Sequence, residues 1–390
     1  MKRLFGFVLA GMLVLSLFSA PAGAEEAVKV WTQNLYIGAD LTPVLEATTP
    51  GDFYSAATQT LEQMAANLFP LRAQRLATEI GLNQPDLIAL QEVENITVNG
   101  FNAGPPFVDY LQALLNALAL RGQHYEVAAV VVNLDLEVPL PFDITGDTYN
   151  DTVRVVDRDV ILVREGIDFS LIAGLCGVPI PNPAFGSIGP QILQSTPSEG
   201  GCNYTISAEL TSPVGSISIK RGFVGIDATL RGKTYRFVNT HLEQRELAPG
   251  RPDTGIFQSL EAVELVGTLL AITPPDKKLI LIGDFNSSSA DAGFDGITPP
   301  YKIITGPLAG FTDSWKRNPL ALLDPKGLTC CQDADLANRQ SVLYERIDII
   351  FIRNGGVTPW EFVTTKVPLI FPAPHWASDH GGVFAKLIFK

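Results

Sequence analysis

Past residue 24 the 390-residue sequence has no stretch long and charge-free enough to cross a bilayer, no CxxC pair, no run of Lys and Arg, no internal repeat and no low-complexity tail. The first absence leaves nothing after the leader that would span a membrane. The second excludes a zinc ribbon. The third, together with 41 Asp and Glu against 28 Lys and Arg and a net charge of −13, disfavours tight nonspecific binding to nucleic acid, because that binding rests on neutralised phosphates. Asp333-Ala334-Asp335 followed by Glu345 also lacks what an EF-hand needs. Ala337 and Asn338 stand where an oxygen ligand and a glycine are required.

The chain opens instead with an export pattern. Met1-Lys2-Arg3 is basic, Leu4 to Ala20 is apolar, and Ala22-Gly23-Ala24 is a small-residue cleavage site. Residues 1–24 therefore read as a signal peptide, and the mature protein is expected to be secreted or periplasmic. In that oxidising space Cys176, Cys202, Cys330 and Cys331 are expected in disulfides, and three pairings are open. Residues 25–390 read as one domain with inserted loops, because the motif residues described below run from its first strand to its last.

Apolar periodicity sets a coarse layout. Val28 to Asn34, Asp86 to Leu90, Tyr125 to Val132, Asp157 to Arg164, Asn203 to Leu210, Gly215 to Leu230, Thr234 to Asn239, Lys278 to Gly283, Arg346 to Ile352 and Gly382 to Phe389 read as strands. Ala56 to Ile80 (interrupted at Pro70), Phe107 to Leu120 and Gly255 to Ile272 read as helices. Strands outnumber helices and alternate with them only loosely, which predicts an α+β fold of two packed sheets with outer helices. Leu134 to Phe142 and Gly174 to Leu193 read as two apolar, Pro-containing loops.

Polar residues gather at the strand ends. Asn34 closes the first strand, Glu92 follows the Asp86–Leu90 strand, and Asn239-Thr240-His241 closes another. Gly283-Asp284-Phe285-Asn286 follows an apolar strand, Arg346-Ile347-Asp348 opens one, and Ser378-Asp379-His380 precedes the last. Singly, each is an ordinary turn or cap residue. Together, with Thr32-Gln33-Asn34 and Leu90-Gln91-Glu92-Val93, they resemble the endonuclease/exonuclease/phosphatase superfamily in residue type and in order. The resemblance implies a four-layered α/β/β/α sandwich of two packed mixed β-sheets. It also implies a divalent-metal-dependent phosphoester hydrolase.

Under that resemblance Glu92, Asn34 and Asp379 are the expected metal site. The ion is Mg²⁺, with Mn²⁺ or Ca²⁺ as substitutes, since such hard cations take carboxylate and amide oxygens. His241, Asp284, Asn286, Asp348 and His380 are the expected catalytic residues. Asp348 would fix the tautomer of His380, Asp284 would position water, and Asn286 would donate to phosphoryl oxygens. Which histidine is acid and which is base stays open. Nucleic acid, a phospholipid head group and a small phosphate ester are the candidate substrates. The two apolar loops are read first as a covered, disulfide-tied insertion packed on the core, and second as a surface for peripheral membrane contact. The alternatives are a phosphomonoesterase and a non-catalytic binding protein that keeps the fold; the complete set of acids, amides and histidines argues against the last.

Overall fold

The computed structural model describes residues 27–182, 190–245, 254–293, 297–364, 368 and 374–389. The expected signal peptide lies outside them. The strands are β1 (Ala27–Asn34), β2 (Leu87–Gln91), β3 (Asn95–Val98), β4 (Tyr125–Pro139), β5 (Thr152–Arg164), β6 (Asp168–Leu171), β7 (Ile180–Pro181), β8 (Ile192–Leu193), β9 (Thr196–Ser198), β10 (Gly201–Ser212), β11 (Gly215–Leu230), β12 (Lys233–His241), β13 (Lys278–Asp284), β14 (Thr312–Asp313), β15 (Asp348–Arg353), β16 (Val357–Val363) and β17 (Val383–Ile388). The helices are α1 (Thr42–Leu45), α2 (Pro50–Ala66), α3 (Phe69–Asn83), α4 (Tyr110–Ala119), α5 (Thr254–Ile272) and α6 (Pro300–Ile304).

Two large mixed sheets form. The first runs β16-β17-β1-β2-β5-β3, with β4 also on β5; the second runs β14-β15-β13-β12-β11-β10-β9, with β6 on β11. Period-two alternation gives each strand two buried faces. In β1, β2 and β5, Val28, Val30, Leu87, Ala89, Ile161 and Val163 meet Val224, Ile226, Ile280, Ile282, Ile350 and Ile352 of the second sheet. The opposite faces of β1, β2 and β5 take α2, α3 and α4 through Trp31, Ile88, Leu90 and Leu162. The opposite face of the second sheet takes α5 through Leu279, Leu281, Ile349 and Phe351. Each such buried aliphatic side chain contributes roughly 1.5–3 kcal/mol. The layers are therefore α/β/β/α, as the sequence implied.

The differences in detail have local causes. The predicted helix over Ala56 to Ile80 is two helices, because Leu68 takes a left-handed φ of 40° and Pro70 sits in the first turn of α3. Leu134 to Pro139 is not a loop. It continues β4 and pairs with β5 as far as Pro139↔Thr152. The described part of Gly174 to Leu193 is packed down, with Leu175 and Leu193 buried and Cys176 bonded to Cys202. Helix α5 is long and apolar enough to cross a membrane by length and composition, yet it buries Leu260, Leu265 and Leu269 beside the second sheet. Strand β16, with Trp360 half exposed, was not foreseen.

Candidate active site

Strand register assembles the site. β1 and β2 are parallel with Asn34 opposite Gln91, so Glu92 follows beside Asn34. In the second sheet β12 and β13 are parallel with His241 opposite Asp284. β15 then runs antiparallel to β13 with Asp348 opposite Asp284. His380 lies just before β17, which pairs with β1. Two strands end in left-handed residues that turn side chains into the cleft: Glu92 with φ 50° and Asn286 with φ 47°. Such conformations cost about 1 kcal/mol or more without glycine. Gly283 is needed as glycine. Its φ is 147°, and a Cβ there would run into the carbonyl of Thr240 on the neighbouring strand.

Amide side chains tie the two sheets together at this end. Gln91 Nε2 donates to Asn239 Oδ1 at 2.6 Å, and Asn239 Nδ2 donates to the carbonyls of Leu90 and Val160. Asn34 Nδ2 donates both to Glu92 Oε1 at 3.0 Å and to Asp284 Oδ2 at 3.1 Å. Its oxygen accepts from Tyr36 N at 2.9 Å. Asn34 thus bridges two carboxylates from beneath the cleft instead of turning an oxygen towards it.

All eight sequence-predicted residues meet around one cleft of about 960 Å³. Glu92, Asp379, His241, Asp284, Asn286 and His380 line it, and Asn34 and Asp348 stand behind them. His380 Nδ1 lies 2.8 Å from Asp348 Oδ2 and 3.8 Å from Asp284 Oδ2. Burial alone would lower the His380 pKa, but Asp348, Asp379 and Asp284 outweigh it and hold it well above the ordinary imidazole value. His241 behaves oppositely. Burial and the nearby Arg221 guanidinium push its pKa well down, so it is neutral.

Arg221 also fixes the His241 tautomer. Its Nη1 sits 3.2 Å from His241 Nδ1, and a guanidinium only donates, so Nδ1 accepts and Nε2 carries the proton. That Nε2 lies 3.6 Å from Asp284 Oδ2. Asn286 Nδ2, 3.2 Å from Nε2, donates to the carbonyl of Leu242 at 2.8 Å. Arg221 is anchored in turn by Glu243 Oε1 at 3.1 Å. Arg221, Glu243 and Thr329 have no counterpart in the sequence reading. Thr329 Oγ1 accepts from the backbone N–H of both Ile347 and Asp348 at 3.1 Å. A buried arginine inside a strand rich in apolar residues was the available signal for Arg221; its partner was not readable. Arg158 and Tyr204 lie off the cleft lining. Arg158 pins the Val93 carbonyl and Asp109, and Tyr204 pairs with Thr240.

The donor set suits a hard cation. Burial, then the neighbouring Asp348, pushes Asp284 up to about 6. Burial, with Glu92 adding to it, pushes Asp379 up to about 7. Asp348 Oδ1 is buried without a hydrogen-bond partner. Asp284, Asp348 and His380 bring ligand atoms within 4.8 Å of one another. A carboxylate cluster in this condition is short of positive charge, and oxygen donors favour Mg²⁺ or Mn²⁺ over softer ions.

A family profile described as "Endonuclease/Exonuclease/phosphatase family" matches residues 62–380. A search of curated proteins finds no match. Among solved structures the chain is similar to an endonuclease/exonuclease/phosphatase family protein from Bacteroides thetaiotaomicron, at 15% identity over 94% of this chain and 100% of that one, with a TM-score of 0.51. It is also similar to a mannosyl-6-phosphatase of Bacteroides thetaiotaomicron VPI-5482 (15% identity, 93% and 100% covered, TM-score 0.49). A third is D. rerio TDP2 complexed with single-strand DNA product (15% identity, 93% and 99% covered, TM-score 0.47). At these identities the likeness concerns the fold.

Proposed function

The chain belongs to the endonuclease/exonuclease/phosphatase family, and from that premise we propose that it hydrolyses an ester bond of a compact phosphorylated substrate, outside the cytoplasm, with a divalent cation bound in the cleft that Glu92, Asp284 and Asp379 line. The observation that carries this reading is the meeting of His241, Asp284 and His380, from three separate strand ends, in one cleft. Bound there, the cation would neutralise phosphate charge and polarise a phosphoryl oxygen.

The protein's own groups supply the rest. Asp348 holds the Nδ1 proton of His380, so Nε2 is the atom that exchanges a proton with the reacting oxygen. Nε2–H of neutral His241 donates to a nonbridging oxygen as charge develops. Asp284 stands between the two imidazoles and orients the attacking water. Asn286 supplies a further amide donor from the same edge.

Charge favours a compact substrate over a polymer. Eight carboxyl side chains and two guanidinium groups line the described cleft. Arg245 is engaged by Asp291 and Glu345, and Arg221 by Glu243. Among the described lining residues no guanidinium is left over for the phosphates of a long polyanion, whose binding groove would be cationic. The Cys176–Cys202 disulfide supports export.

The test is Mg²⁺-dependent release of p-nitrophenol from bis-p-nitrophenyl phosphate and from p-nitrophenyl phosphate. Glu92→Ala and His380→Ala should each lower turnover by about 10²-fold or more while the fold is kept. Unchanged turnover in both variants would reject the assignment. Sugar phosphates, sphingomyelin vesicles and plasmid DNA, run in parallel, should rank with the small ester first.

A further inference from the structure

We propose that Cys330 and Cys331, once reduced, form with His380 a site for a soft divalent cation such as Zn²⁺ or Cd²⁺, and that filling this site stops turnover. The two cysteines are adjacent in sequence, bonded to each other, and both line the cleft. Cys331 Sγ lies 4.0 Å from His380 Nε2, and the two sulfurs and an imidazole nitrogen fall within 4.8 Å of one another. In a tetrahedral Cys/His site, metal bonds of about 2.3 Å to sulfur and 2.0–2.1 Å to nitrogen set those atoms roughly 3.6 Å apart. The observed sulfur–nitrogen separation needs only a small adjustment.

Donor softness keeps this site apart from the carboxylate cluster. Thiolates and imidazole select Zn²⁺ and Cd²⁺, while Glu92, Asp284 and Asp379 offer hard oxygens to Mg²⁺. The two sites share one wall, and His380 belongs to that wall. A cation held on Nε2 uses the lone pair that exchanges the proton in the reaction proposed above, so the inhibitory half of this inference rests on that reading.

The backbone around the pair is bound to the catalytic groups on both sides. Gln332 N donates to the carbonyl of Asp379 at 2.8 Å, and Gly381 N donates to the carbonyl of Thr329 at 2.7 Å. Cys330 exchanges backbone hydrogen bonds with Glu345 at 2.9 Å in both directions. Thr329 caps the amides of Ile347 and Asp348. This segment therefore holds both members of the His380–Asp348 pair. The scaffold holds the segment in place, and reduction frees the two sulfurs to move from bonding distance to the roughly 3.8 Å apart that a shared tetrahedral cation requires.

The chemistry balances with an external reductant. A phosphine and one water break the sulfur–sulfur bond, two thiols form, and the phosphine leaves as its oxide. Binding the cation then releases the two thiol protons and the Nε2 proton of His380 to solvent.

The experiment titrates Cd²⁺ into full-length protein held in excess Mg²⁺, oxidised or reduced with a phosphine. The readouts are the near-ultraviolet thiolate-to-cadmium absorption and turnover of bis-p-nitrophenyl phosphate. Reduced protein should bind one Cd²⁺ per chain with that absorption and lose about 10²-fold or more of its turnover, recovered on chelation. Oxidised protein should show no absorption, and reduced Cys330→Ser/Cys331→Ser should show none beyond what the thiols of the opened Cys176–Cys202 bond give, a part measured by its loss in Cys176→Ser/Cys202→Ser. His380→Ala should bind Cd²⁺ about tenfold more weakly or worse. Absence of the absorption in reduced wild type, or its full persistence in the double variant, overturns the site. Cd²⁺ binding with turnover intact overturns the inhibition. If the double variant does not fold, a trivalent arsenical that bridges paired thiols is mapped in reduced wild type by peptide mass spectrometry; absence of an adduct joining Cys330 and Cys331, whatever happens at Cys176 and Cys202, is then the refuting result. No turnover in oxidised protein would sink the hydrolase reading and leave the cadmium result to decide the site.

Discussion

Replacing Glu361 with Gln should make the protein more stable at alkaline pH and leave it nearly unchanged at pH 5. Glu361 on β16 is fully buried, its Oε2 accepts from Ser314 Oγ at 2.6 Å, and its Oε1 has no hydrogen-bond partner. Arg346, the nearest compensating cation, is occupied by Asp313. Burial first, then Asp313, raises the carboxyl from about 4.5 to about 8. Between those values the folded state keeps a proton that the unfolded chain has lost. Stability therefore falls as pH rises, by about 1.4 kcal/mol per pH unit, and the loss is complete above pH 8. Taken at face value the shift is worth about 4–5 kcal/mol; with relaxation of the surroundings, we expect a gain of about 2–4 kcal/mol for Glu361→Gln at pH 9. Urea unfolding of both proteins at pH 5, 7 and 9, disulfides intact, measures the difference. Other buried carboxyls share the slope but cancel in the comparison. If the two proteins lose stability in parallel from pH 5 to 9, Glu361 is already ionised in the fold and the reasoning is wrong.

Three further outcomes are expected. Arg221→Met leaves Glu243 without its cation in a dry setting and should destabilise the protein by about 3–5 kcal/mol in urea. Thr329→Val strips two buried amides of their acceptor and should cost about 2–4 kcal/mol with a fall in kcat, whereas Thr329→Ser should restore most of both. Opening Cys176–Cys202 by Ser substitution releases a link between positions 26 apart and should cost about 3–4 kcal/mol in thermal unfolding.

How much of this was legible in the sequence follows from the kind of signal each residue leaves. Asn34, Glu92, His241, Asp284, Asp348 and His380 interrupt apolar strands at their ends. Side-chain polarity marks them, and motif order ties them together. The sandwich was legible for the same reason, since alternation in β1, β2, β13 and β15 declares two buried faces. The extension of β4 through Leu134 to Pro139 was hidden by Pro139 and Pro141, which look like loop residues until an edge position tolerates them. Arg221 and Thr329 were invisible as site residues because their work is done through partners distant in the chain. The direction of Asn34 was equally hidden: residue type offers an oxygen and an amide, and only Tyr36 N on one side and two carboxylates on the other decide which is turned where.

The groups proposed to react are divided between the two sheets. Glu92 and His380 travel with the first sheet, His241 and Asp284 with the second, and the aliphatic layer between them is the spacer that sets their distance. Proton transfer tolerates far less displacement than folding does, and an error of about 1 Å can cost 10²-fold in rate. Val30, Ile282 and Ile350, which never meet the substrate, thereby act as gauge blocks for the chemistry.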